Sequence, residues 1–269
     1  MSKGPMDQTR IDDITEDLIE DLCLVCVPSD RLDDPDWSRG VLEKKKWAAD
    51  MLQRWGSLAK VAYKDGTPVG LIQYRPIPQE QTVNIDCIYV PHGGGAVKGT
   101  ASRLLSSLMD DVTRPMSWFD DRPPLALVAN SFEGGEPGQL TAREFFKRKG
   151  FRQVGDDPDH LYYPLKEGFV YAPVEKKAAG KVLLVCGPNG CPATYPFILK
   201  RMENYIREMC PEVPIRWLDS SEEPEELGRR NARVGDCIAN AGIVKSFVLD
   251  KASFQDEVKG KLCHEETSL

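Results

Sequence analysis

Several absences narrow the possibilities for this chain. No apolar run approaches the ~20 residues that a membrane-spanning helix needs. The first residues, MSKGPMDQTRIDDITEDLIEDL, are polar and acidic with no apolar signal core. A soluble, cytoplasmic protein with no membrane partner is the expectation. Basic charge is in short supply as well, with 35 Lys and Arg against 42 Asp and Glu, a net of -7. From Lys181 onward 12 basic residues face 14 acidic ones, and before it 23 face 28, so neither part is basic. Nucleic acid is therefore not an expected partner. The eight cysteines do not form a secreted disulfide framework, and in a reducing compartment free thiols are the default. Cys23 and Cys26 make a C-x-x-C without a second ligand pair at zinc spacing. They sit in an apolar helical run with Leu18, Leu22 and Val25, which reads as packed thiols, so no metal is expected.

What is present divides in two. A length of 269 residues accommodates two ordinary cores. Domains are expected at 1–166 and 181–269, joined by a linker, EGFVYAPVEKKAAG, over 167–180 that lacks core periodicity. In the first part, helical patterns run over 15–27, with Thr15 as the cap, and over 38–55. The period then drops to two: Ala59, Val61 and Tyr63 alternate, Asp65-Gly66 makes a tight turn, and strands follow over 69–74 and 82–90. A helix with Leu104, Leu105, Leu108, Met109 and Val112 on one face comes next, then a Pro-rich connector and a strand over 125–130. A helix over 141–149 ended by Gly150, and strands over 151–154 and 160–165, close this part.

The stretch GGGAVKGTASRLLSSLMDDV, from Gly93 to Val112, sets four glycines and a lysine before an amphipathic helix. A glycine-rich turn at a helix start frees backbone N–H groups at the positive end of the helix dipole, where an anion such as a phosphate fits. The order Lys98-Gly99-Thr100 does not match a nucleotide-triphosphate loop. G-x-G-x-x-G cannot be laid over Gly93, Gly94, Gly95 and Gly99 either. A loose turn with a helix cap is the alternative.

The order of elements, with VNIDCIYVP before the loop and TAREFFKRKGF near the end of the part, resembles the GNAT acetyltransferase superfamily over about residues 10–166. The resemblance implies an α/β (α+β) fold, a mixed sheet with flanking helices, and acetyl-coenzyme A as co-substrate. Ala96-Val97-Lys98-Gly99-Thr100-Ala101 corresponds to the family's [Q/R]-x-x-G-x-[G/A] pyrophosphate loop, with Ala96 in place of Gln or Arg. The resemblance thereby points to Lys98, Gly99, Thr100, Ala101 and Ser102 around the phosphates, and to Ile88 and Val90 of the preceding strand. Asn130 stands where members hydrogen-bond the pantetheine arm, or is a strand-end turn residue. A-R-E-F-F-K-R-K-G-F resembles the family's A-x-x-F-Y-x-K-x-G-F. It puts Phe146, also a cofactor contact, where many members carry a tyrosine that protonates the departing thiolate. The chemistry implied is attack of a neutral amine, from a small-molecule or peptide acceptor, on the thioester with the help of a base. Asp86 is the acidic residue on the strand that carries the base in the family, or a solvated strand residue. Cys87 should face the other way, into the core. Tyr163 could reach the acceptor side, or simply pack.

From Lys181 the order is a strand VLLVCGP, a loop NGCPAT, a helix over 195–209 and a strand over 213–218. A short acidic helix, a hairpin of 237–240 with 243–248, and a helix over 253–262 follow. This looks like a small thioredoxin-like fold, with Cys191-Pro192-Ala193-Thr194 at the place of a C-P-x-C and Gly235 near the place of its cis-proline. Cys191, near a helix start, is a redox candidate, and otherwise structural or partner-binding. A GNAT domain followed by this unit is similar in organisation to bacterial YoaP-like acetyltransferases. The competing reading is a thiol-based redox or binding module whose GNAT-like domain binds coenzyme A but turns over poorly.

Overall fold

The computed structural model describes residues 9–91, 98–131, 140–155, 157–172, 182–230, 232–240 and 242–263. His92, Gly93, Gly94, Gly95, Ala96 and Val97, and 173–180 of the expected linker, lie outside them. The chain divides into two compact units, Met1–Cys26 with Ala48–Pro173, and Val27–Trp47 with Val174–Leu269.

The first unit is built on β1 (Arg10–Asp13), α1 (Ile19–Leu24), the C-terminal part of α2 (Pro35–Trp55), β2 (Ala59–Lys64), β3 (Thr67–Ile77) and β4 (Thr82–Tyr89). It continues with α3 (Thr100–Val112), β5 (Ala126–Asn130), α4 (Ala142–Arg148), β6 (Arg152–Val154) and β7 (Asp157–Pro164). The seven strands lie in the order β1-β2-β3-β4-β5-β7-β6. Every pairing is antiparallel except β4 with β5. The sheet is thus mixed and carries flanking helices, as the family resemblance implies. Asp65 and Gly66 both take positive φ (50° and 80°) at the β2–β3 turn, the geometry that matches the strands' twist.

One face of the sheet packs Ile72, Tyr74, Val83, Ile85, Leu127 and Leu161 against the apolar stripe of α3 (Leu104, Leu105, Leu108, Val112) and against Phe146 of α4. Thr141 accepts from Glu144 N–H while Glu144 accepts from Thr141 N–H, a reciprocal cap that starts α4 at a defined residue. On the opposite face Ala126, Val128 and Tyr162 pack with Tyr171, whose hydroxyl donates to Glu80 Oε2 at 2.6 Å. Tyr171 and Phe169, within the expected linker, are thus packed on the first unit.

Three local readings differ from the structure. The first helix is cut to Ile19–Leu24 after a single 3-10 turn, and Thr15 makes no side-chain cap. Strand β1 lies in the polar run RIDD. It is an edge strand paired only with β2, and the Lys60 ammonium, 4% exposed, binds Asp13 and Asp111 at 2.6 Å each, tying β1 and α3 to β2. Burial works to lower the Lys60 pKa. The hydrogen bonds to Asp111 and Asp13 outweigh it and hold the group above its ordinary value.

The second unit contains β8 (Val182–Cys186), a π-helical turn (Thr194–Leu199) running into α5 (Lys200–Met209), and β9 (Ile215–Asp219). It ends with α6 (Pro224–Arg230), β10 (Cys237–Ala239), β11 (Gly242–Ile243) and α7 (Lys251–Cys263). The sheet order is β11-β10-β8-β9, with β8 and β9 parallel and the other pairs antiparallel. Leu184, Met202, Ile206, Val248, Phe254 and Val258 form its core. The third difference is at β11, which stops at Ile243 instead of reaching 248. The N–H groups of Lys245 and Ser246, and the Ser246 hydroxyl, donate to the Glu257 carboxylate of α7, so they are spent before a ladder can use them. The N-terminal part of α2 also belongs to this unit. Trp37 meets Phe197 edge-on at 5.2 Å, Arg39 lies 4.1 Å over the Tyr195 ring, and Asp36 accepts from Lys200 Nζ at 2.7 Å.

Candidate functional site

The site is set by where two strands part. β4 and β5 run parallel through four register pairs, from Thr82 with Ala126 to Ile85 with Ala129, and then the pairing ends. Among the described residues, β4 continues to Tyr89 paired only with β3. At the same point the β3–β4 register slips: Tyr74 faces Ile85 and Gln73 faces Cys87, so Asp86 is the extra residue of a bulge. Asp86 is exposed as a residue, although its side chain keeps only 21% of its accessible surface. The exposure therefore lies largely in the peptide group, and the backbone edge of β4 beyond Ile85 is open toward β5.

The bulge also resets the alternation of side chains. Ile88, opposite Ile72, packs on the α3 side. Cys87 was expected to face away from Asp86 into that core. Instead it pairs with Gln73 on the other side, because the extra residue shifts every later side chain by one face. Asp86 Oδ1 accepts from Asn84 Nδ2 at 2.6 Å and lies 3.3 Å from Arg75 Nε. Asn84 is 2% exposed and Gln73 is fully buried. Asn84 Oδ1 and both polar atoms of the Gln73 carboxamide have no hydrogen-bond partner among the described residues. Sequence reasoning passed over these two residues. The signal was a glutamine at an inward position of an otherwise apolar strand, in LIQY.

Beyond β4, helix α3 begins at the same edge. Gly99 is its N-cap at φ 89° and ψ 0°, a left-handed conformation that glycine adopts without strain, and among the described residues no side chain caps the helix. No acidic residue occupies the first turn, so the positive end of the helix is not neutralised from within. Lys98 and Gly99 are exposed, Thr100 is buried, and Ala101 and Ser102 are half-buried. The helix start sits close on the sheet because Gly70 of β3 has no side chain: a Cβ there would lie 3.1 Å from Thr100 Cγ2 and 3.2 Å from Val90 Cγ2. Val90 therefore lies against β3 beside the mouth of α3. Of the loop pattern read from the sequence, Ala96 and Val97 are outside the described residues.

Asn130 ends β5, exposed, opposite His160 of β7. Phe146 is 3% exposed and wedged between Phe145 and Phe151, with ring centroids at 5.3 and 4.8 Å. Tyr163 pairs with Leu127 and rests on Phe151 at 5.6 Å, on the α3 side of the sheet. Asp86 and Tyr163 are thus on opposite faces. The structure groups Asp86, Ile88, Val90, Gly99 and Thr100 along one edge and leaves Phe146 and Tyr163 in the apolar layer beneath α3 and α4.

In the second unit Cys191 is half-buried, and its N–H donates to Asn189 Oδ1 at 2.9 Å. Cys186 lies at the end of β8, and its thiol donates to Leu218 O at 3.6 Å and to Asp219 Oδ2 at 3.9 Å. Burial, with Asp219 adding to it, pushes its pKa up to about 11, so it stays protonated near neutral pH. Gly235, at φ 94°, approaches Thr194: a Cβ there would come within 3.8 Å of Thr194 Cγ2. Among the described residues no three His, Cys, Asp or Glu side chains group as metal ligands, and no helix is long and apolar enough to cross a membrane.

No protein-family model and no curated protein matches the sequence. Solved structures do resemble it at low identity. A GNAT family acetyltransferase from Brucella melitensis in complex with acetyl-CoA is 14% identical over 63% of this chain and 95% of that one, with a TM-score of 0.40. The PaiA N-acetyltransferase from Thermoplasma acidophilum in complex with coenzyme A is 16% identical over 58% and 97%, with a TM-score of 0.41. For a candidate acetyltransferase from Pyrococcus horikoshii the values are 13% identity and a TM-score of 0.39. That match covers 56% of this chain and spans less than half of the Pyrococcus chain, 46%.

Proposed function

We propose that the protein is an acetyl-coenzyme A dependent N-acetyltransferase, with the cofactor in the opening between β4 and β5 and an amine as acceptor. The observation that carries this reading is the parting of the two parallel strands at Ile85 and Ala129, beside an uncapped helix start. Together they offer a free backbone edge and a phosphate-binding terminus in one line. The residues fit the group. Gly99, left-handed and with nothing among the described residues within 4 Å of an added Cβ, lets a phosphate come close to the first-turn amides, and exposed Lys98 adds charge. The edge of Ile88 to Val90 on one side and Asn130 on the other would hold an extended amide-bearing arm by strand-like hydrogen bonds.

The bound cofactor would supply an activated acetyl thioester. The protein's part is then to position an amine against it and remove the amine's proton. We assign the proton to Asp86. Arg75 and Asn84 hold its Oδ1, which fixes the carboxylate and leaves Oδ2 as the oxygen to receive the proton. Phe146 cannot donate a proton, and its ring is packed on both sides, so protonation of the leaving thiolate falls to solvent or another group. Tyr163 is assigned packing. The acceptor is a small-molecule or peptide amine.

We propose a thioredoxin-like fold for the second unit. The reading is supported by a parallel β8–β9 pair joined by a helix, by antiparallel β10 and β11 in the order β11-β10-β8-β9, and by the closing helix α7. Its role in this reading is substrate binding or regulation rather than dithiol exchange, since Cys186 is held protonated and Thr194 stands in place of a second cysteine. The domain arrangement of 1–166 and 181–269 and a cytoplasmic setting belong to the same proposal.

Calorimetric titration with acetyl-coenzyme A tests the function. Micromolar binding, about 8 kcal/mol, supports it, and no binding to the folded protein sinks it.

A further inference from the structure

We propose that Gln73 is a specificity-determining residue that reads a polar group of the acceptor amine. The inference rests on the acetyltransferase reading and deepens it. A buried carboxamide with neither its oxygen nor its nitrogen paired is costly, and methionine or leucine would fill the same volume without that cost. Gln73 is fully buried, with both polar atoms in that state, and Asn84 Oδ1, on the same face of the neighbouring strand, shares it. The two residues flank the bulge at Asp86, where β5 has left β4 and the peptide group is exposed. Strands lie about 4.8 Å apart, a distance that a glutamine side chain spans, so the carboxamide of β3 can serve a ligand seated on β4. Between them the two side chains offer donors from Gln73 Nε2 and acceptors from Gln73 Oε1 and Asn84 Oδ1. That set suits an amine bearing a carboxamide or hydroxyl next to the reacting nitrogen, and leaves an aliphatic amine with nothing to satisfy it.

The experiment compares wild type with Gln73→Met, and with Gln73→Leu should the first fold poorly. Glycinamide and n-propylamine, of similar size, serve as probe acceptors, and thiol release from acetyl-coenzyme A is followed. With rates expressed per unprotonated amine, since glycinamide is the weaker base, the wild type is expected to favour glycinamide in kcat/KM by at least about tenfold. Gln73→Met is expected to lose that preference through a higher KM for glycinamide, with the Kd for acetyl-coenzyme A unchanged. Its melting point without ligand should rise by about 2–4 °C, because an unpaired amide has been removed. A fall in melting point in both variants would show that the fold itself uses the amide, and would overturn the assignment, as would an unaltered preference. A wild type that neither binds acetyl-coenzyme A nor releases thiol overturns the acetyltransferase reading instead, which keeps the two failures apart.

Discussion

Replacing Gly99 separates backbone strain from charge at the helix start. Gly99 lies at φ 89°, where a Cβ costs about 1–2 kcal/mol, and nothing among the described residues lies within 4 Å to collide with it. Gly99→Ala should therefore lose about that much stability and no more. Gly99→Glu pays the same strain but places a carboxylate at the positive end of α3, which returns about 0.3–1 kcal/mol. The glutamate variant should thus be at least as stable as the alanine variant in urea unfolding. Binding should split them the other way. A carboxylate ~5 Å from a phosphate, at an effective dielectric of about 20, is repelled by about 3 kcal/mol. The residue is exposed, so salt leaves about 1.5–3 kcal/mol of this, roughly 10–100-fold in Kd. Calorimetry with coenzyme A on the three proteins checks the split. Equal affinity for the alanine and glutamate variants would mean that no phosphate approaches Gly99, and the reasoning from the uncapped helix would fail.

Other consequences concern stability. Gly40→Ala builds a methyl into the Pro192 carbonyl oxygen, a backbone atom within the same compact unit. The expected overpacking of about 3 kcal/mol exceeds the ~1 kcal/mol that alanine gains in helix propensity. Unfolding should therefore come at lower urea, and an unchanged midpoint would contradict the close contact. Glu257 has its pKa held below its ordinary value: burial opposes this, but hydrogen bonds from Ser246 and Lys245 prevail. Its contribution is present above about pH 4.5 and lost as pH falls through the lower folded value. Glu257→Gln should be less stable at pH 7 and show a flatter acid limb, and parallel acid limbs would refute the assignment. Phe146→Tyr should cost about 1–3 kcal/mol, because its hydroxyl would enter a ring stack with 3% exposure. A variant as stable as wild type would mean that the hydroxyl finds a partner.

Much of this architecture was legible where local chemistry and long-range packing agree. Asp65-Gly66 specified its hairpin because both residues tolerate positive φ. The stripe Leu104, Leu105, Leu108, Val112 specified a helix on a sheet because the packed face is what the period encodes. No strand was read at Arg10–Asp13 because three of its four residues are charged, and its pairing depends on Tyr63 and Lys60, some 50 residues on. The glycine loop pointed to the mouth of α3, but Gly70, which lets that helix sit down on β3, lies 30 residues earlier and carries no local mark. At the site itself, alternation failed at Asp86, since a bulge is decided by the partner strand and not by the residue that bulges. For that reason Cys87 was assigned to the wrong face, whereas Gln73 carried its own mark in LIQY.

The parallel β4–β5 pairing has a consequence for how the molecule forms. Thr82 and Ala126 are 44 residues apart, whereas the β2–β3 and β3–β4 pairings close through short turns. Closing the longer loop costs more chain entropy, so the β2–β4 meander should assemble before it joins β5 along this seam. In pulsed hydrogen exchange during refolding, the amides of Val83 to Ile85 that serve β5 should gain protection after those of Val61 and Leu71. The opening that would take the cofactor lies at the end of this later seam, so a ligand there would act on the assembled molecule and have little influence on how fast it folds.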